Sequence, residues 1–158
     1  MLTCIFEDGG KASLRHAVAD VMIIDKDNIL LVKRAPHLSN PNKWGLIGGY
    51  VDRDEWVEQT AKRETLEESG YEIELVELFR IVDNPDRRGE NRQNIAFIFI
   101  AKPVKKVTES DKEASEVRWF SLDNLPKQET FAFDHYEQVE LYLRHLKEPF
   151  SLPIVGKI

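Results

Sequence analysis

Cysteine is nearly absent: Cys4 stands alone among 158 residues. A single thiol excludes an intramolecular disulfide and any Cys-rich zinc site. Near a terminus and without a companion motif, Cys4 is also a poor nucleophile candidate. Long hydrophobic runs are missing too. The most continuous, Ile95 to Ala101, falls far short of the roughly 20 apolar residues a bilayer-spanning helix needs. The opening MLTCIFEDGG has no positive leader followed by an apolar stretch, so no signal peptide is expected. These features make a soluble, cytoplasmic chain with no membrane partner the expectation. Positive charge is in deficit: 22 Lys and Arg against 28 Asp and Glu leave a net charge of −6. No basic field therefore favours nucleic acid as a partner. No repeat, low-complexity tract or Gly/Ser linker divides the chain, and its length suits one compact domain, residues 1–158.

What is present reads as strands around a central helix. His16 to Ile24 (HAVADVMII) is rich in β-branched and apolar residues and predicts a strand. Asp25 to Asn28 predicts a turn and Ile29 to Lys33 the returning strand. Pro36 to Lys43 reads as a loop, and Trp44 to Ile47 as a short apolar segment ending at Gly48-Gly49. From Asp54 to Ser69 there is no Gly or Pro and helix formers dominate, with Gly70 as the expected stop. Glu72 to Val82 and Asn94 to Pro103 read as two strands around a polar loop, Asp83 to Gln93. Val117 to Phe120 predicts another strand, and Asp134 to Lys147 a closing amphipathic helix with Val139, Leu143 and Leu146 at helical spacing. Strands flanking one helix, with another at the end, predict an α/β class with a mixed sheet between helices.

The chemistry gathers on the central helix. Glu64, Glu67 and Glu68 stand at i, i+3 and i+4 and share one face. Acidic stripes are usually solvated, but Glu64 and Glu68 are like charges one turn apart, which costs about 0.2–0.5 kcal/mol without a counter-ion. Val57 and Ala61 fall on the same side, so this face looks partly inward. Carboxylates crowded beside apolar positions call for cations, and hard oxygen donors suit Mg²⁺ or Mn²⁺ rather than zinc. Arg63, four residues before Glu67, is placed to hold that carboxylate. Just upstream, glycine at Gly48-Gly49 lets a backbone carbonyl approach a metal or phosphate closely, although a plain turn is the better explanation of the pair taken alone.

Taken together these residues resemble the Nudix box, G-x5-E-x7-R-E-U-x-E-E-x-G-U, where U is bulky and apolar. The run from Gly49 to Tyr71, GYVDRDEWVEQTAKRETLEESGY, matches with Gly49, Glu55, Arg63, Glu64, Glu67, Glu68 and Gly70 at every fixed position. Two departures occur: Thr65 fills the first apolar position, and Ile47 stands where relatives often carry proline. The strand pair before the box and the later Glu116-Val-Arg-Trp-Phe-Ser-Leu run are similar to the family's usual context. The resemblance implies an α/β/α sandwich and a Mg²⁺-dependent enzyme, with Mn²⁺ able to substitute, cleaving a diphosphate linkage by metal-activated water. It implies Glu64, Glu67 and Glu68 as metal ligands with the Gly48 carbonyl added. It also implies Glu64 or Glu113 as base, and Arg63 and Glu55 as scaffold. Glu113 lies at the family's loop-glutamate place, with Glu109 and Glu116 as nearby competitors.

Beyond the box, Arg87, Arg88 and Arg92 in the Asp83–Gln93 loop are candidates to hold a second phosphate or a sugar, with Arg15 as a further contact. The placement of this loop, which contains Asp and Pro, after the box resembles the family's ADP-ribose pyrophosphatases. Trp44 and Phe131 read as core rather than base-stacking residues. His16, His37, His135 and His145 lack metal-ligand spacing among themselves. The expected partner is a small nucleotide, with ADP-ribose the leading substrate and a homodimer left open. Two alternatives remain at this level: a house-cleaning nucleoside triphosphate pyrophosphatase, and a Nudix-fold sensor that binds nucleotides without cutting them.

Overall fold

The computed structural model describes residues 2–88 and 92–156. β3 (Ala17–Asp25) and β4 (Asn28–Arg34) form the expected hairpin, joined through Lys26-Asp27, with Lys26 at φ +54°. β5 (Trp44–Gly45), β6 (Ile47–Tyr50), β7 (Tyr71–Val82), β8 (Ile95–Lys106), β9 (Ala114–Ser121) and β10 (Ile154–Val155) complete an eight-stranded sheet. Its order is β10-β7-β8-β3-β4-β5, with β6 added on β3 and β9 on β4. β3 runs parallel to β8 and β10 parallel to β7, whereas the other pairs are antiparallel, so the sheet is mixed as expected.

Both faces of this sheet are covered. Along β3 side chains alternate sides: Val18, Met22 and Ile24 join a core with Val139, Leu141 and Tyr142 of α2 (His135–Lys147), while Ala19, Val21 and Ile23 join one with Ala61 of α1 (Val57–Ser69). A strand buried on both faces has no exposed period, and β3 is buried without a break from Val18 to Ile24. Asp20 is the one charged residue within that run. Trp44 and Phe131 lie in the α2-side core.

One boundary, one helix face and one hairpin differ from the sequence reading. α1 begins at Val57 rather than Asp54, because Asp54 sits at φ +66° and the Gln59 side chain satisfies the Trp56 N–H at 2.8 Å. It ends as expected at Gly70, whose φ of +75° suits glycine and whose N–H reaches the Leu66 carbonyl at 2.9 Å. On α2 the buried stripe runs through His135, Gln138, Val139 and Tyr142, so Leu146, expected inward, is 55% exposed. An N-terminal hairpin of β1 (Leu2–Ile5) and β2 (Lys11–Leu14), not anticipated, forms a separate two-stranded sheet. No helix among the described residues is long and apolar enough to cross a membrane.

Split pairing of β3 sets up the site. Its first half, Val18 to Val21, pairs with β6, whereas Ile23 to Asp25 pair with β4. Gly49 and Gly48 therefore lie opposite Ala19 and Asp20, directly beside α1.

Candidate active site

Arg63 organises the acidic face of α1. Its guanidinium grips Glu55 with two hydrogen bonds of 2.9 Å and donates to Glu64 Oε1 at 2.7 Å, to Glu67 Oε2 at 3.2 Å and to the Tyr50 carbonyl at 3.2 Å. Thr60 Oγ1 adds a 2.6 Å hydrogen bond to Glu55. Hydrogen bonds from Arg63 and Thr60 hold the Glu55 carboxyl down to about 2. The Glu55 and Glu64 partners push the Arg63 guanidinium further up. This bidentate brace fixes the register between the loop and the helix.

The glycines are required by the closeness of β6 to α1. A Cβ on Gly49 would sit 2.3 Å from Glu64 Oε1, and one on Gly48 would sit 2.0 Å from the Ala19 carbonyl oxygen. The Gly48 N–H donates to Glu68 Oε2 at 3.3 Å. Glu68 is 5% exposed, and burial with Glu64 nearby pushes its carboxyl up to about 8. Burial raises Glu64 as well, against the pull of Arg63, while Glu67 remains exposed.

Glu113 faces this group across the cleft. Its loop is tied down by the Asp111 N–H to the Glu67 carbonyl at 2.8 Å and the Ala35 N–H to the Glu113 carbonyl at 2.9 Å. Its charge raises both Glu64 and Glu68. Of the three loop glutamates only Glu113 lines the cleft: Glu109 pairs with Lys106 at 2.9 Å, and Glu116 with Arg118 and Lys33. Among the described residues no three acidic or imidazole groups already converge at metal-ligand geometry, since Arg63 draws Glu64 and Glu67 to itself. The donor chemistry nonetheless fits a hard divalent cation. Burial and the neighbouring carboxylates raise the proton affinity of Glu64 and Glu68 in this cleft, as happens where carboxylates are short of positive charge.

The cleft measures about 560 Å³. It is lined by these carboxylates together with Arg34, Tyr50, Arg87, Arg92, Phe133 and His135. The four arginines proposed from the sequence separate here. Arg92 lines the cleft and donates to the Tyr50 hydroxyl. Arg87 also lines it, but its side chain is buried against Asp134. Arg88 and Arg15 do not line it: Arg88 reaches Phe133 and Glu137, and Arg15 the carbonyls of Asp83 and Gln93.

Sequence reasoning missed Arg34, Asp20, His135 and Phe133. Arg34 lies 5.2 Å over the Phe133 ring and close enough to Glu68 to lower its proton affinity. The Nδ1 of buried His135 accepts the Leu46 N–H at 2.9 Å, and burial holds its imidazole down to about 3. One signal was available: a lone Asp within the apolar run HAVADVMII marks a buried charge that needs a partner.

Comparison with known proteins accounts for this arrangement. The NUDIX domain family model matches residues 14–142, more than three quarters of the chain. The chain belongs to the Nudix family. It is 37% identical over 134 residues to an ADP-ribose pyrophosphatase of Methanocaldococcus jannaschii, covering 83% of this chain and 75% of that protein. Among solved structures, a Nudix hydrolase from Nitrosomonas europaea superposes with a TM-score of 0.79 at 23% identity, over 93% of this chain and 81% of the other. An ADP-ribose pyrophosphatase from Streptococcus suis gives 0.73 at 22% identity, over 90% and 100%. These two establish the Nudix fold, an α/β/α sandwich. With the family match and the M. jannaschii relative, they identify the chain as a Nudix hydrolase.

Proposed function

We propose that this Nudix hydrolase cleaves ADP-ribose to AMP and ribose 5-phosphate, using Mg²⁺ with Mn²⁺ as a substitute. The observation that carries the reading is one cleft lined both by a carboxylate cluster and by cationic and aromatic groups, among them Arg92 beside Tyr50 and Arg34 over Phe133. A diphosphate flanked by two sugars and a base needs both sets of groups. The relative in M. jannaschii, an ADP-ribose pyrophosphatase, supports the same substrate.

Glu64, Glu67 and Glu68 would hold the cation, with the Gly48 carbonyl as a further ligand. When bound, the cation acidifies water and offsets the charge that builds on the phosphoryl oxygens. Glu113 or Glu64 takes the proton from water as it attacks phosphorus and the bridging oxygen departs with the other phosphate. Arg63, held by Glu55, keeps Glu64 and Glu67 in register. Arg34 and Arg92 engage the phosphate and ribose beyond the scissile bond.

A product-resolved hydrolysis screen over ADP-ribose, NADH, nucleotide sugars, dinucleoside polyphosphates and dNTPs tests the reading. ADP-ribose should show the highest kcat/KM, and Arg92→Ala should raise KM more than it lowers kcat. Preference for a dNTP with release of pyrophosphate rejects ADP-ribose.

A further inference from the structure

The arginines around the Asp83–Gln93 loop largely hold the loop itself. Arg87 is 6% exposed, and its guanidinium lies across the Asp134 carboxylate, with Nη2 2.5 Å from Oδ1 and Nε 3.1 and 3.2 Å from the two oxygens. Its Nη2 also lies 4.0 Å from Asp20 Oδ2. Asp134, at the N-cap of α2, accepts from Gln138 Nε2 at 3.0 Å, and Gln138 Oε1 accepts from Arg80 at 2.9 Å. The next residue, Arg88, donates to the Phe133 carbonyl at 3.0 Å and pairs with Glu137 at 3.4 Å. Arg15 closes the base of the loop by donating to the carbonyls of Asp83 at 2.8 Å and Gln93 at 2.5 Å.

Two features of the cleft depend on where this anchored loop lies. Arg92, at the loop's far end, donates to the Tyr50 hydroxyl with its guanidinium 5.8 Å from the ring centroid. Phe133 stands at φ +51°, a conformation that a bulky side chain adopts only when its surroundings impose it. Arg88 donates to its carbonyl and Arg34 lies over its ring.

A buried ion pair contributes little net stability. Replacing both members with neutral groups is often harmless, whereas removing one strands the other charge. What a bidentate guanidinium–carboxylate pair supplies is fixed direction. We propose that Arg87 and Asp134 are positioning residues. Their pair locks residues 83–88 onto the start of α2, beside Phe133, and with Arg15 holding the carbonyls of both Asp83 and Gln93 it sets the spacing between the Arg92–Tyr50 wall and the Phe133–Arg34 wall. That spacing governs affinity for the part of the substrate beyond the scissile linkage and leaves the chemistry at the carboxylates unchanged. The inference rests on the ADP-ribose reading for the identity of that part, but not for the anchoring itself.

Arg87→Met alone leaves Asp134 buried and uncompensated and risks unfolding. The decisive protein is therefore the triple variant Arg87→Met/Asp134→Asn/Asp20→Asn, which removes the guanidinium with both carboxylates it faces and keeps an oxygen for Gln138. Thermal denaturation, amide hydrogen exchange over residues 83–88 and 92–94, and steady-state kinetics on ADP-ribose are measured against wild type. The expected result is a wild-type-like melting temperature, faster exchange in the loop, KM raised at least tenfold and kcat within threefold. Unchanged KM overturns the proposal. So does kcat falling as far as KM rises, because general disturbance of the fold would do that. If wild type fails to turn over ADP-ribose, the substrate reading falls. The exchange arm still decides the anchoring, and KM is then measured on the best substrate from the screen.

Discussion

His135 makes acid sensitivity a quantitative test of how α2 meets the sheet. Its ring is 4% exposed, and its Nδ1 accepts the Leu46 N–H, so the neutral tautomer carries its proton on Nε2, 4.0 Å from Asp20 Oδ2. Burial, only partly offset by Asp134, holds the folded imidazole down to about 3 against 6.5 when free. The unfolded chain therefore binds a proton that the folded chain refuses, and stability falls as pH drops from 6.5 towards 3. At pH 4.5 the gap from 6.5 amounts to roughly 3 kcal/mol, a large fraction of the total stability of an ordinary domain. His135→Asn supplies the control: its side-chain oxygen takes the place of Nδ1 as acceptor and does not titrate. Melting temperatures of both proteins are followed from pH 7.5 to 4.5 in metal-free buffer. Wild type should lose roughly 6–12 °C more than the variant, at about 2–4 °C per kcal/mol for a chain of this size. Parallel curves would show that His135 is not held neutral, and the buried contact with Leu46 would have to be abandoned.

Removal of divalent cations with EDTA should abolish turnover, with recovery on adding Mg²⁺ or Mn²⁺; full activity without metal refutes the carboxylate mechanism. Glu67→Gln and Glu68→Gln should each lower kcat by at least about 10²-fold while circular dichroism stays native, since electrostatic stabilisation by the site is worth several kcal/mol. Near-normal kcat at saturating Mg²⁺ removes that residue from the ligand set. Gly49→Ala places a Cβ 2.3 Å from Glu64 Oε1 and must displace that carboxylate. A displacement near 1 Å costs about 10²-fold in rate, and an unaffected kcat would show that the position of Glu64 is not critical.

The box was legible because its residues are local. Glu64, Glu67 and Glu68 share a face through helical periodicity alone, and the Arg63 contacts to Glu64 and Glu67 lie within one turn. Strand and helix identities followed for the same reason, from the β-branched and apolar runs of β3 and β4 and from the Gly70 stop. The short N-terminal hairpin escaped notice because β2 is largely exposed and leaves no apolar period to read.

Sequence by itself determined the family, the catalytic helix, the glycines beside it and the strand–helix order, all carried by neighbours a few residues apart. Tertiary structure alone decided which glutamate of three faces the cleft, since backbone ties to Ala35 and Glu67 turn Glu113 inward while Glu109 and Glu116 find cations elsewhere. It also decided the fate of the loop arginines. Partners 47 residues away for Arg87 and 68 or more for Arg15 hold them to the fold. Such pairings lie beyond any local period, because burial of a guanidinium is set by which charge the fold brings to meet it. Asp20 and Asp134 met Arg87, and His135 met Asp20, only once β3 and α2 had packed on one another.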